Sequence, residues 1–429
     1  MKKRGDSEDE NMSNSQLPPH GRNWEKVKAE MEAAQKDDSP WYNKRMFIGG
    51  SYFGGEDVVE VANEAYQMYI NYNALYGTKI FPSLVGYESD IVGALLEMMD
   101  APMGASGSIT TGGTESLIMA VKTAYAWARD YRPEAIAPEI VVPHAAHPAF
   151  DKTAHLMGIR AVRMTQSPDF RADIEAMERA INDNTVMLAA SAPSYPFGVT
   201  DSISEIAALV EKHGLWLHVD ACHGGFIFPF ARKLGYSIPD YDFAVPGVTS
   251  ISVDVHKLGY ANKGVSALLL RDANLETYQR YTFEDWPSGT YSTQNLMGSR
   301  SGGGLASAWA VLNYLGEEGY LERVSKILDT REQFLDGIRG IDGLEIWGEP
   351  EAYLITFGSD AFDIFAVDEG MTERGWLSSR LLDPPAIHLF LDMSHAAIVD
   401  DYLRDLAEVV SAAKSGKIQS SEKGASYSR

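Results

Sequence analysis

Cysteine is nearly absent: one thiol, Cys222, stands in 429 residues. A single thiol closes no intrachain disulfide and builds no cysteine-rich metal knuckle, and a reducing cytoplasm is the compartment such a chain suits. Basic charge is also short. Against 60 Asp and Glu there are 37 Lys and Arg, a formal net charge of -23, so the chain lacks the positive footprint that displaces counterions from phosphates, and no nucleic-acid partner is expected. Nowhere do ~18 or more apolar residues run together. The opening MKKRGDSEDENMSNSQ has no apolar core of the kind a secretory signal carries. Neither a membrane span nor a stable membrane anchor is therefore expected, and the protein should be soluble. No set of residues suggests a metal.

What the chain does contain is enough apolar material, 45% of its residues, for a large core in two or three lobes. Residues 1–18 and 414–429 are polar and Ser-, Lys- and Glu-rich, the composition of disordered tails. Between them short apolar runs (140–142, 186–190, 215–219, 251–255 and 267–270) alternate with helical periodicity. Runs so short, with little polar alternation, predict strands buried on both faces. One connecting segment makes the unit plain. Ser202-Ile-Ser-Glu205 reads as a capping box, Ile206, Leu209, Val210 and His213 share a helical face, and Gly214 closes the helix before the next strand. Such strand–helix–strand units in series predict an α/β fold with a mostly parallel sheet covered by helices. After Gly302-Gly303-Gly304 the pattern changes to a long helical stretch (305–340), three strand-like segments and a final helix near 397–413. The expected division is an N-terminal segment (19–75), a large domain (76–304) and a smaller C-terminal α+β domain (305–413).

Four places carry chemistry. Thr110-Thr111-Gly112-Gly113-Thr114-Glu115-Ser116 opens a helix whose apolar face is Leu117, Val121, Ala124 and Ala128. Helix-terminal amides, glycines and threonine hydroxyls can hold a phosphate there, although a Gly-rich turn that merely caps a helix looks the same. In His218-Val219-Asp220 an apolar strand ends in a carboxylate, at the edge where open α/β sheets bind ligands; a helix-capping Asp is the plainer alternative. Ser250 to Lys257 is again a strand running into polar residues, and its terminal lysine, costly as a buried cation, is expected to favour a neutral amine able to form an imine. An ordinary surface lysine is the alternative, and His256 beside it is either a phosphate donor or a packing residue. His147, just past the 140–142 strand, can lie flat on an aromatic ring or be structural. Their order along the chain decides between these alternatives. Anion site, stacking His, strand-end Asp and strand-end His-Lys follow the sequence that pyridoxal 5'-phosphate (PLP) would need if it lay across the edge of a parallel sheet, because a carboxylate must keep its ring nitrogen protonated for it to act as an electron sink.

From about residue 25 to residue 410 the chain resembles fold-type-I PLP enzymes of the group II decarboxylase family, and within it the sphingosine-1-phosphate lyases. The stretches that carry the resemblance are TTGGTESLIMAVKTAY, AHPAFDKTAHLMG, HVDACHGGF, GVTSISVDVHKLGYANKG and GTYSTQNLMGSRSGG. The fold this implies is a large domain with a mixed, mostly parallel seven-stranded sheet and a smaller α+β domain. The resemblance makes Lys257 the Schiff-base lysine, Asp220 the partner of the pyridine nitrogen and His147 the ring-stacking residue. Gly113, Thr114 and His256 would hold the cofactor phosphate. It further implies a homodimer with interfacial sites, into which Tyr291 and Ser292 reach from the neighbouring subunit, and it sets Lys263 and Tyr52 toward the substrate phosphate. The sequence departs from the pattern at Asn73-Ala74-Leu75-Tyr76, where a Tyr replaces the His expected near the substrate phosphate, and at His223, where a Leu is usual.

The implied reaction is retro-aldol cleavage of a phosphorylated sphingoid base, a small phospholipid-derived molecule, to a long-chain aldehyde and phosphoethanolamine. Lys263 or Tyr291 would serve near the hydroxyl or phosphate, and Lys257 or His147 would handle the Cα proton. The competing expectations are an amino-acid decarboxylase and a PLP-fold protein kept for binding or assembly.

Overall fold

The computed structural model describes residues 17, 20–50 and 52–420. Of the two polar tails expected from composition, residues 1–16, 18 and 421–429 lie outside the described residues. Residues up to Asn43 and residues from Lys44 onward form separate units. The first holds helix α1 (Trp24–Ala34), which the Asn23 side chain caps by accepting from the Lys26 N–H and which buries none of its side chains.

The second unit opens with α2 (Glu56–Tyr69) and α3 (Pro82–Met98). Seven strands follow, interleaved with helices: β1 (Ser106–Thr110), α4 (Gly113–Tyr131), β2 (Glu139–Val142), α5 (Ala149–Met157), β3 (Arg160–Arg163), α6 (Ile174–Ala180), β4 (Thr185–Ser191), α7 (Ile203–His213), β5 (Trp216–Asp220), α8 (Phe228–Lys233), β6 (Ser250–Val253) and β7 (Ser266–Leu270). They form one sheet in the order β1-β7-β6-β5-β4-β2-β3. The run β3-β2-β4-β5-β6 is parallel, whereas β7 is antiparallel to both of its neighbours, β6 and β1. The expected fold class, α/β with a mostly parallel mixed sheet, is the one observed.

The apolar runs are buried on both faces because successive residues feed two cores. Leu217 and Val219 pack with Ile206, Leu209 and Val210 of α7 in one cluster, while Trp216 packs with Leu117, Val121, Ala124 and Ala128 of α4 in the other. Leu269 of β7 is fully buried in the first cluster. Leu269→Ala is expected to destabilise the fold by about 2–5 kcal/mol, read as a lower urea midpoint, whereas Val85→Ala at an exposed site should leave the midpoint nearly unchanged.

One local expectation fails. Ser202 caps α7 through no side-chain bond; its backbone carbonyl accepts from Glu205 and Ile206 instead, so no capping box forms. Gly214 does close the helix in the left-handed conformation, at φ 62°.

Beyond β7, α9 (Glu276–Gln279) leads to an antiparallel hairpin of β8 (Tyr281–Phe283) and β9 (Tyr291–Thr293). Helix α10 (Gly303–Arg339) kinks at Gly316, where φ is 54°. Strands β10 (Glu345–Ile346), β11 (Leu354–Gly358), β12 (Ser379–Leu382) and β13 (Pro385–Phe390) make a four-stranded sheet in the order β10-β11-β13-β12, accompanied by α11 (Ile364–Glu373) and α12 (Val399–Lys414). Past α12, Ile418 still packs against the core. Among the described residues, no helix is long and apolar enough to cross a membrane.

Candidate active site

Open α/β sheets bind ligands beyond the C-terminal ends of their strands, and the chemistry-bearing residues collect at that edge. Ser191, Asp220 and Ser252 stand in register on β4, β5 and β6. Asp254 and Lys257 lie in the turn that leaves β6. Because β1 is antiparallel to β7, and β7 to β6, the Thr111-Gly112-Gly113 loop after β1 emerges at the same edge. Here a cavity of about 500 Å³ is lined by Tyr52, Gly113, Thr114, His147, Asp220, His256, Lys257 and Lys263, all singled out from the sequence, together with His223, Asp254 and Tyr195, among others.

Lys257 is held by two contacts. Its Nζ is 3.1 Å from Asp254 Oδ2 and 2.7 Å from His223 Nε2. The expectation of a neutral amine is corrected by this geometry. Burial presses the Lys257 pKa downward, but Asp254 together with Tyr52, Cys222 and Asp220 outweighs it and the net shift is upward. In the same way burial pushes Asp254 up, the Lys257 and His256 charges pull it down, and the pull wins. Asp254 escaped sequence reasoning, although a carboxylate in an apolar strand three residues before a lysine was a readable signal.

Asp220 accepts from the Cys222 N–H at 3.1 Å and from Ser252 Oγ at 3.3 Å. Behind it Ser252 Oγ is 3.2 Å from His218 Nε2, and His218 Nδ1 is 2.8 Å from Ser250 Oγ, which also accepts from Trp216 Nε1. Burial brings His218 down to about 4, so a neutral ring sits in this chain of bonds. His147 accepts the Ala149 N–H at Nδ1, leaving Nε2 to carry the proton of the neutral ring; burial lowers its pKa, against the charge of Asp220. His256 accepts the Val265 N–H at Nδ1, with Nε2 at 3.8 Å from Asp254.

Helix α4 starts at Gly113, so its free N–H groups point at this edge. Gly112 has φ 151°, and a Cβ on Gly113 would fall 2.9 Å from both Asp254 oxygens, so only glycine lets the backbone come this close. Glu115, which sequence reasoning passed over, ties the loop together. One of its oxygens takes the Thr111 N–H and hydroxyl; the other takes the Leu296 and Met297 N–H groups. Lys263 Nζ lies 4.5 Å over the Tyr52 ring and 3.4 Å from the His256 carbonyl. Burial and then the charge of Lys257 bring it down to about 8.

Four of the sequence candidates lie outside the cavity lining. Tyr291 and Ser292 sit on the β8–β9 hairpin, and Asn73 donates to Ser299 Oγ. Tyr76 is exposed. These gather around one surface segment: Gly298 lies near both Tyr291 and Leu75.

Residues 10–359 match the pyridoxal-dependent decarboxylase conserved domain. The chain is 40% identical over 406 residues to a sphingosine-1-phosphate lyase of Arabidopsis thaliana, covering 93% of this chain and 74% of that one. The chain belongs to the sphingosine-1-phosphate lyase family. A solved sphingosine-1-phosphate lyase of Burkholderia pseudomallei superimposes with a TM-score of 0.89 at 35% identity, over 94% of each chain. A glutamate decarboxylase of Lactobacillus brevis, 18% identical, shares the fold with a TM-score of 0.82, over 94% of this chain and 96% of that one. Membership makes this chain a PLP-dependent lyase.

The residues present fit that cofactor. Asp254 Oδ1 is buried without a hydrogen-bond partner among the described residues. Gly112, Gly113 and Thr114 at the start of α4 line the cavity, where helix-terminal N–H groups suit an anion, and an amine and a carboxylate, Lys257 and Asp220, line it too.

Proposed function

We propose that the chain cleaves the Cα–Cβ bond of a phosphorylated long-chain amino alcohol of the sphingosine 1-phosphate type, releasing a long-chain aldehyde and phosphoethanolamine. The observation that carries the reading is the joint presence of Lys257, Asp220 and Lys263 around one cavity at the sheet edge, in a chain whose relatives are named for that activity. When bound, PLP supplies an electron sink for the charge left at Cα.

In this reading Lys257 attaches the cofactor, Asp220 keeps the ring nitrogen protonated, and His147 stacks on the ring. Gly113, Thr114 and His256 hold the cofactor phosphate. The neutral His147 ring, protonated on Nε2, or Lys257 itself holds the proton destined for Cα. Lys263 is both a cation and a group with a lowered pKa, suited to a substrate phosphate and to the hydroxyl whose proton must leave. Incubation with sphingosine 1-phosphate and with a panel of amino acids, followed by mass spectrometry, tests the reading. Aldehyde and phosphoethanolamine are expected; carbon dioxide from an amino acid, with neither product from the lipid, would replace it with a decarboxylase.

The working unit we propose is a homodimer in the cytoplasm. The β8–β9 hairpin exposes Tyr281, Phe283 and Trp286, an apolar surface suited to a partner, and Tyr291 and Ser292, with Asn73 and Tyr76 near them, would then serve the neighbouring copy's site. The single Cys222 is buried, in keeping with a reducing compartment.

Lys263 yields a pH test. Its ammonium is present below about 8 and lost above it. For a phosphorylated substrate kcat/KM should therefore fall as pH rises through that value. Lys263→Met should remove this limb and raise KM by about 10–100-fold, the value of a charge-assisted hydrogen bond, with kcat changed far less if the phosphate is its partner.

A further inference from the structure

Lys257 is anchored twice, and the second anchor reaches into the four-stranded sheet. Besides the Asp254 contact, Nζ meets His223 Nε2 at 2.7 Å, and His223 Nδ1 in turn meets Tyr353 Oη at 2.6 Å, from the residue that precedes β11. His223 is buried, and a Cβ on Gly225 would collide with Val253 of β6, so the backbone behind the imidazole is pressed against the strand that leads to Lys257. Burial, with the charge of Lys257 behind it, holds His223 well below the usual histidine range, and the ring is neutral. A neutral imidazole has one donor and one acceptor nitrogen. Facing an ammonium, which only donates, Nε2 must accept, and Nδ1–H is left to donate to Tyr353.

The two anchors differ in what they favour. Asp254 stabilises the ammonium, and an ammonium has no lone pair with which to attack a carbonyl. His223 is an acceptor without charge. It holds the amine in either protonation state, since a neutral amine keeps two N–H groups and needs only one for Nε2. A four-carbon stem tied at one point keeps much of its rotamer freedom; a second tie removes it.

We infer that His223, backed by Tyr353, is a positioning residue that holds the Lys257 amine in bonding geometry for the cofactor aldehyde and keeps it placed whenever the substrate has displaced it. In the bonding step the ammonium first gives one proton to solvent, and an Nζ=C double bond then replaces the aldehyde C=O, whose oxygen leaves as water with the two protons of the neutral amine. The inference rests on the reading of Lys257 as the attachment point.

Its test is the rate at which the cofactor-stripped chain, given PLP, develops the visible absorbance of the bound cofactor. His223→Leu should slow that rate about tenfold, the low end for a hydrogen bond to a charged group, and lower kcat with KM unchanged. His223→Gln, whose carbonyl reaches the Nε2 position, should recover most of the rate, and Tyr353→Phe should fall between. Capture by His223→Leu at the wild-type rate would overturn the inference. Should that variant fail to fold, Gln is set against Asn, whose amide reaches only the Nδ1 position, and equal rates for the two overturn it. Borohydride fixation and peptide mapping of the wild-type chain separate the two failures: a link elsewhere than Lys257 sinks the attachment reading, whereas a link on Lys257 with unaltered capture by the variants sinks only this inference.

Discussion

Lys257→Ala is expected to bind PLP without the visible absorbance of the attached cofactor, to incorporate nothing on borohydride treatment, and to lose turnover by roughly 10³-fold or more, as removal of a covalent nucleophile does. Catalysis retained at the wild-type level, with added PLP and native substrate, would end the assignment. The same substitution has an electrostatic consequence that the sequence did not announce. Asp254 is buried and 3.1 Å from Nζ; without the ammonium, the basic group left beside it among the described residues is the His256 ring, at 3.8 Å, whose pKa burial lowers. Breaking a buried pair by removing one member costs about 3–5 kcal/mol, so the cofactor-free variant should melt at a lower temperature. Lys257→Arg separates the two effects. It keeps a cation beside Asp254 and should melt nearer to wild type, yet it can form no covalent link and should be as inactive as the alanine variant.

Asp220→Asn is expected to keep the cofactor attached and visible while turnover falls by about 10²–10³-fold, the range measured when one preorganised electrostatic group is removed from a site. The substitution conserves size and can keep the contacts from the Cys222 N–H and Ser252 Oγ, because an amide oxygen accepts as a carboxylate does. What it removes is the negative charge that would hold a proton on the ring nitrogen. KM should change little, since the lost interaction acts on the charge that develops during bond breaking. Wild-type turnover in this variant would mean that Asp220 is a structural carboxylate, and Asp254, a second aspartate in the cavity lining, would become the candidate.

Much of this architecture is legible in single segments. The 186–190 and 215–219 runs read as buried strands because all their residues but His218 are apolar and join one of the two cores, and β4 and β5 feed both. The capping box at Ser202 failed because a side-chain cap competes with the local path of the chain, and the backbone carbonyl took the bonds instead. Strand β1, Ser-Gly-Ser-Ile-Thr, carries no apolar run; its pairing with β7 makes it a strand.

The site divides along the same line. That Asp220 ends a strand, that Lys257 follows an apolar run, in the turn that leaves β6 rather than on the strand itself, and that glycines precede α4, follows from the order of residues with only that local correction, because apolar runs and helix starts are local properties. That Lys257 is an ammonium held between Asp254 and His223, that His223 leans on Tyr353 130 residues away, and that Glu115 pins the 296–297 backbone are matters of tertiary structure. Protonation and hydrogen bonding are set by what lies within a few ångströms, and only the folded chain decides which distant residues those are.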